Sequence, residues 1–524
     1  MNKPIVPDII AQLSAVVGAS HVLTGEDRAF YAHDVFRHRE LPVAVVRPGS
    51  VAELQAVVKA AAAAGLAMLA RGGGASYSDG YLPVTPHALI IDCGRLDRIV
   101  EINPTDGFVT VEAGVTWAAL TEALAVRGLR TPFFGPFSGL VATVGGSVSQ
   151  HSISHGSGAY GISADSVIAL DVVLASGDVI RTGQGGSPAG HPFYRYYGPD
   201  LTGLFTGDCG AFGIKARITL KLIRRPAVAD GVSFSFDRFE ALHAAMAELA
   251  AAQLDDEHFA LDSSLSQGQI ARNMTLRGGL EIALGVLRNA ANPLAAVRSL
   301  LAMGLHGAAS LQQPGYFGHY IVTGEQARTV ADKVALLRRL GARHGMPIAN
   351  SVAKIVQAMP FAPLVNILGP AGERWVPLHG LLPQSQVLAF HREALSLLET
   401  HRPAMQAHGV HHGTMFTCAG PGAFLYEFAL YWQDERTLFH DTLLGPHHVA
   451  GLTDYPANPE GKRLVEMLHR DLIALFHRYG AVHFQVGKIY PLLKDRDPAA
   501  VGLLRALKQA LDPQGLMNPT VLGL

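Results

Sequence analysis

The sequence predicts an α+β protein of two domains, a mixed α and β domain at the front and a separate α+β cap, and three observations predict it. The chain has 524 residues, more than one hydrophobic core supports, because domains usually hold about 100–250 residues. Strand and helix signals alternate over residues 1–226, and longer helices separated by strand-like runs fill 227–480. The last segment, 481–524, returns to the character of the front and is expected to rejoin the first domain.

Each element follows from local chemistry. LPVAVVRPGS ends a strand, and VAELQAVVKAAAAAG reads as a helix closed by Gly65, since glycine accepts the left-handed conformation that ends helices. LAMLARGGGASYSDGYLP is a short apolar strand running into a glycine-rich loop, and HALIIDCGRL and FVTVEAGV are two more strands. TWAALTEALAVRG is a helix opened by Thr116 and closed by Gly128, and VIALDVVLASGDVIRTG is a hairpin that turns at Ser-Gly-Asp. In the cap, FEALHAAMAELAAAQ and RTVADKVALLRRLGARHG are helices and FLYEFALYW is a strand. In the tail, AVHFQVGKIY reads as a strand and PAAVGLLRALKQAL as a helix stopped by DPQG.

Composition removes several function classes. Lys+Arg number 42 against 43 Asp+Glu with no basic block, which argues against a nucleic-acid partner. Three cysteines, Cys93, Cys209 and Cys418, are far apart and odd in number, so no disulfide framework is expected and a reducing, cytoplasmic setting is. The first residues lack a signal-peptide layout, with an amphipathic helix over Ile9 to Val17, and no apolar run reaches the ~20 residues of a membrane span. HGVHHGTM brings His408, His411 and His412 together, but without H-E-x-x-H or another metal signature, and among 24 histidines such a cluster arises by chance. No metal is expected.

Two stretches carry the binding chemistry. In RGGGASYSDG, after an apolar strand, three consecutive glycines let backbone N–H groups converge on one spot, as a nest for phosphate oxygens, with Ser76, Tyr77 and Ser78 able to add hydroxyls. Taken alone it reads equally well as a flexible turn. It is neither G-x-G-x-x-G opening a helix nor a P-loop. About 65 residues on, FFGPFSGLVATVGGSVSQHSISHGSGAYGISADSV is again dense in Gly and Ser, as in a segment that wraps a ligand with its backbone.

Taken in order, the RGGGASY loop, the RLDRIVEINPTDGFVTVEAGVTW hairpin, VGGSVS, LDVVLASGDVIRTG, YGPDLTGLFTGDCGAFGI and LDPQGLMNP resemble the vanillyl-alcohol oxidase / para-cresol methylhydroxylase family of FAD-linked oxidoreductases, and within it the 4-cresol dehydrogenase-like flavoproteins. The match covers about 200 residues at the front and about 40 at the back. The resemblance implies the para-cresol-methylhydroxylase (PCMH) type of FAD-binding fold and FAD rather than NAD. It implies that Arg71, Gly72, Gly73, Gly74, Ala75, Ser76 and Tyr77 hold the pyrophosphate. Pro136, Thr143, Val144, Gly145, Gly146, Ser147 and Ser149 would line the ADP-ribityl chain. Gly156, Gly158, Gly161 and Ile162 would follow the isoalloxazine side, Ile214 would touch the adenine region by its backbone, and Asn518 would approach the flavin.

The departures from the family are as informative. Where several members tether FAD through a histidine in the first glycine loop, this chain has Gly74 or Ala75. His379 in WVPLHGLLP lies near the cap histidine that other members use, so a covalent link there and a packed cap histidine are both open, with non-covalent FAD the expectation. The Tyr-Arg pair and the Asp of phenol-oxidising members are replaced by His483-Phe484 and Ile162, which puts para-alkylphenol chemistry in doubt.

Hydride transfer to flavin N5 needs a group that takes the substrate proton, and a neutral histidine suits that near neutral pH. His483 is the first candidate, with Tyr490 and His379 behind it, and Lys488 as the cation for the reduced flavin or a substrate carboxylate. The expectation is an FAD-dependent oxidase or dehydrogenase acting on the CH–OH of a small alcohol or hydroxy acid, with oxygen or an electron carrier as acceptor. Oxidation of a para-substituted phenol, at a benzylic CH, and a flavin-binding module without turnover are the alternatives. Substrate, acceptor and assembly as a homodimer are left open.

Overall fold

The computed structural model describes residues 5–187, 190–266, 314–362, 364, 368–369 and 371–524, so the segment 267–313 of the expected cap lies outside the described residues. The chain divides into two compact units, one made of Met1–Ser152, Ile162–Arg224 and His483–Leu524, the other of Ile153–Gly161 and Arg225–Val482. No described helix is long and apolar enough to cross a membrane.

The first unit holds two larger sheets, besides a short antiparallel pair of Leu129–Arg130 with Ile223–Arg224. Strands β1 (Val22–Leu23), β2 (Ala44–Val46), β3 (Ala67–Arg71) and β4 (Ala88–Asp92) form the first in the order β1-β2-β4-β3. β2 and β3 run parallel to β4. Such strands are covered on both faces, which is why ALIID of β4 is buried throughout. Helix α1 (Val51–Ala63) connects β2 to β3 and buries Leu54, Val57 and Val58. Its start is fixed reciprocally, because Ser50 accepts from the Glu53 amide and the Glu53 carboxylate accepts from the Gly49 amide at 2.8 Å.

The second sheet is antiparallel. It contains β5 (Ile99–Asn103), β6 (Phe108–Glu112), β7 (Val167–Val173), β8 (Val179–Arg181) and β9 (Ile214–Lys221), in the order β5-β6-β9-β7-β8. Gly65, Gly128 and Gly177 take positive φ at the expected helix ends and hairpin turn. Helix α2 (Trp117–Ala125) starts at Thr116, as expected. VGGSVSQ, in contrast, is not a loop but a short helix, α3 (Val144–Gln150), because the Thr143 hydroxyl caps the Gly146 amide at 3.1 Å.

The second unit is one antiparallel seven-stranded sheet under helices. Its strands are β10 (Val228–Phe236), β11 (Glu257–Asp262), β12 (Tyr316–Gly324), β13 (Met346–Ile348), β14 (Arg374–Pro383), β15 (Val410–Ala419) and β16 (Ala423–Trp432). They run in the order β13-β10-β12-β11-β15-β16-β14. Helices α4 (Phe239–Ala252), α5 (Val387–Thr400) and α6 (Pro459–Arg478) meet an aromatic face of this sheet. Phe390 of α5 stacks on Phe476 of α6 at 4.4 Å, and Phe239 of α4 lies 5.2 Å from Phe416. Side chains alternate along a strand, so Phe424, Tyr426 and Phe428 of β16 face the helices while Leu425, Glu427 and Ala429 face away from them.

Candidate functional site

The first glycine loop leaves β3 at Arg71. This side chain is buried, and its guanidinium lies 4.4, 4.7 and 5.0 Å from the rings of Phe30, Tyr31 and Tyr81. Arg71 therefore props the loop from behind through cation–π contacts. Tyr81 closes the cage by donating to the Gly74 carbonyl at 2.7 Å. The glycines are needed for a reason the sequence did not show. A Cβ on Gly73 would meet the Val141 carbonyl at 1.8 Å, and one on Gly72 the Thr143 hydroxyl at 2.3 Å. They let the loop pack backbone to backbone on the entry to α3, rather than merely leaving room for a ligand.

The amides of Gly73, Gly74, Ala75 and Ser76 donate to no protein oxygen among the described residues. Native structures rarely leave such a run unspent, and a run of four N–H donors suits the oxygens of a pyrophosphate. The second glycine stretch differs. The amides of Val144 and Gly145 go to the carbonyls of Val115 and Ala113 at 2.8 and 2.9 Å, and that of Ser147 to Thr143. Gly146 is taken by the Thr143 cap, the Ser147 hydroxyl accepts from Trp117 at 2.8 Å, and the Ser149 carbonyl accepts from Cys209. The Pro136 carbonyl turns back to the Gly139 amide, and Ile214 starts β9 as a buried ladder residue opposite Val173. The dinucleotide fit thus rests on the first loop.

The back of that loop is clamped by the tail. Lys488 donates to the carbonyls of Asp79 and Leu82 at 3.1 Å each and to Asn518 Oδ1 at 2.9 Å. Asn518 in turn donates to the carbonyls of Gly80 and Cys209 at 2.7 Å each. Both side chains are thereby satisfied inside the protein. Lys488 and Asn518 hold the loop and tail together, and burial lowers the Lys488 pKa to about 8. The hydroxyls of Ser76 and Ser78 are bound to Gln150 Oε1 at 3.1 and 3.2 Å, and Tyr77 accepts from Gln485 at 3.2 Å.

AVHFQVGKIY is not a strand, as its alternation suggested. Gln485 and Gly487 take φ of 54° and 55°, which turns the segment, and its amides serve scattered partners. Gln485 donates to the Gln150 carbonyl, Lys488 to Ser78 and Gly487 to Cys209 Sγ. A Cβ on Gly487 would sit 2.1 Å from the Ser78 carbonyl. The fold brings His483 and Tyr490 into a parallel stack with ring centroids 4.1 Å apart.

The remaining expected residues belong to the second unit, apart from Ile162, whose amide donates to Asp165 in the first. Gly156 and Gly161 turn the stretch 153–161 with φ of 86° and 78°. Its anchor is Glu257 of β11, which meets the His155 ring at 2.9 Å and the Gly156 amide at 3.3 Å. Gly158 lets the stretch approach closely, since a Cβ there would come 2.9 Å from the Asp256 carbonyl. His379 is fully buried on β14, directly opposite Glu427 of β16. Glu427 was missed in the sequence, although one acidic residue in the apolar run FLYEFALYW was a signal.

The arrangement is that of a PCMH-type FAD-binding fold. Residues 42–183 match the FAD binding domain family, and residues 486–522 the C-terminal domain of FAD linked oxidases. FAD is therefore the cofactor of this chain. Glycolate oxidase subunit GlcD of Bacillus subtilis is 28% identical over 252 residues, 48% of this chain and 52% of that protein. The mitochondrial D-lactate dehydrogenase [cytochrome] of Arabidopsis thaliana is 28% identical over 227 residues, 43% of this chain and 38% of that protein. The chain thus spans about half the length of the curated relatives it matches. Substrate-bound p-cresol methylhydroxylase shares the fold with a TM-score of 0.74 at 18% identity, covering 100% of this chain and 98% of that one.

Proposed function

We propose that the protein oxidises a small alcohol or hydroxy acid, with the proton and the hydride leaving the same carbinol group. The unspent amides of Gly73 to Ser76 beside an FAD-binding sequence match carry this reading. These amides would take the pyrophosphate, with Arg71 and its aromatic cage fixing the loop and Lys488 and Asn518 fixing its back. FAD, when bound, supplies the hydride acceptor. An imidazole nitrogen of His483 takes the hydroxyl proton, and stacking on Tyr490 holds the ring in a fixed plane for that transfer. Glycolate and D-lactate in the names of the relatives support a CH–OH substrate.

The test is a purified sample. It should be yellow and release FAD, not FMN, on denaturation, and anaerobic addition of alcohols and 2-hydroxy acids should bleach the flavin absorbance. FMN alone, or no bleaching by either class while para-alkylphenols bleach it, would overturn the reading.

A further inference from the structure

Phenylalanine, tyrosine and tryptophan side chains are buried or half-buried throughout the described residues, with one exception. Phe193, Tyr194, Tyr196 and Tyr197 of the first unit are between 52% and 80% exposed. Their rings adjoin in series, with centroids 6.5 Å apart from Phe193 to Tyr194 and 5.9 Å from Tyr194 to Tyr196. Leu201 beyond them is exposed as well. Single apolar residues at a surface need no explanation, whereas a contiguous apolar patch marks an interaction surface.

The display is held from within. Arg195 sits between the tyrosines and turns inward, where its Nη1 donates to the Ala164 carbonyl at 2.8 Å and its Nε and Nη2 donate to Asp200 at 3.1 and 2.8 Å. The buried hydroxyls of Thr182 and Thr202 meet at 2.7 Å, and the Thr182 hydroxyl also accepts from the Leu170 amide of β7 at 2.9 Å. The Gln184 amide donates to the Tyr194 carbonyl at 3.1 Å. A surface segment anchored in this way loses little conformational freedom when it binds. Tyrosine and phenylalanine also carry much contact area on few rotatable bonds.

Charge selects the occupant. From Thr182 to Gly207 the only charged side chains are Arg195 and Asp200, and they pair with each other. An anionic membrane or a nucleic acid needs a basic surface, and a charged carrier protein needs an opposite one. A two-fold contact lays one patch on a copy of itself, so it needs a surface that does not repel itself, which a neutral aromatic one supplies. The area agrees. An aromatic side chain buries about 150–250 Å² when covered, so these four rings have about 400–600 Å² left to cover, against about 800 Å² on each side of a standard interface. We propose that the segment 190–201 is a two-fold contact between two copies of this chain, with the rings of Phe193, Tyr194, Tyr196 and Tyr197 packed on the same rings of the second copy. The contact rests on no part of the proposed oxidation.

Sedimentation velocity of the FAD-loaded full chain tests it. The wild type should sediment as a dimer with a dissociation constant in the micromolar range or tighter. It should stay dimeric in about 0.5 M sodium chloride, since no ion pair holds the contact. Tyr196→Ser with Tyr197→Ser should weaken the dimer a hundredfold or more, while melting temperature and flavin-to-protein ratio keep their wild-type values, because neither ring belongs to the core. Val126→Ser, at a position as exposed as Tyr197, should leave the dimer intact. Tyr197→Lys and Tyr197→Glu should each be monomeric, and a mixture of the two should dimerise again, because a contact of the patch with itself sets the two charges against each other. A wild type monomeric at every concentration, a dimer that survives the double substitution, a dimer dispersed by salt, or a charge-swapped mixture that stays monomeric would overturn the proposal. So would a monomeric wild type that pellets with phosphatidylcholine or phosphatidylglycerol vesicles, which would give the patch to a membrane.

Discussion

The His483 imidazole lies almost flat on the Tyr490 ring, with centroids 4.1 Å apart and planes inclined by 14°. Seven residues separate them in sequence, and on a strand they would point to opposite faces. The turn at Gln485 and Gly487, both with positive φ, is what brings the two rings together. Tyr490 is buried, so it acts as a fixed wall against which the imidazole keeps one orientation.

His483→Ala should keep FAD bound and slow flavin reduction by about 10²–10⁴-fold, the usual range for loss of a general base. Tyr490→Phe keeps the stacking wall and should fall far less. Stopped-flow reduction separates the two. A rate for His483→Ala within threefold of wild type removes His483 from the mechanism.

Gly73→Val should yield protein without flavin and with a loosened first loop, because even a Cβ would overlap the Val141 carbonyl at 1.8 Å. Gly146→Ala is the matched control. Its Cβ would meet only the Thr143 hydroxyl, at 3.2 Å, so occupancy should stay close to wild type. The flavin-to-protein absorbance ratio of the two variants checks both. Full occupancy in Gly73→Val would mean the loop is not the pyrophosphate site.

Lys488→Met should act on stability and cofactor retention rather than on the chemical step. It strips a donor from the carbonyls of Asp79 and Leu82 and from Asn518, at about 1–3 kcal/mol for each acceptor left buried and unpaired. The folded-state pKa of about 8 lies below the ordinary 10.5. The unfolded chain therefore binds more protons between these values, and this group makes stability rise with pH across that window. Thermal melts from pH 7.5 to 10.5 should show a lower Tm in the variant and a flatter rise. Unchanged melting with a collapsed reduction rate would return Lys488 to the reacting centre.

Cys93, Cys209 and Cys418 are buried thiols without disulfides. Burial pushes Cys93 to about 12 and Cys209 to about 11, far from the thiolate form that reacts. Titration with a disulfide reagent at pH 8 should find no fast-reacting thiol in the native protein and three after denaturation. A native thiol reacting within seconds would contradict the packing around it.

The front of the molecule was legible because its signals are local. Thr116, Gly65 and Gly128 mark helix ends by rules that involve only neighbours in sequence. The loop after Arg71 was legible as glycine-dependent, but the reason for glycine was not, since Val141 and Thr143 come from about 70 residues away. AVHFQVGKIY was misread for the same reason. Its alternating apolar residues mimic a strand, while its conformation is set by Gln150, Ser78 and Cys209. The carbonyl partners of Lys488, on Asp79 and Leu82, were hidden likewise, because they come from about 400 residues away.

The first unit is assembled from three separated stretches, and its closing stretch is the last. Met68 on β3 exchanges backbone hydrogen bonds with Leu516 and Asn518, accepting at 2.8 Å from the latter. During synthesis, β3 and its glycine loop leave the ribosome early, yet their edge stays open until residue 518 has emerged. In between, the nascent chain carries an exposed strand edge through the making of some 440 residues, a hazard for edge-to-edge association. The first unit, glycine loop included, is therefore complete only when the tail has joined the front. Heterologous production should gain from chaperones and slow growth, which shield that open edge.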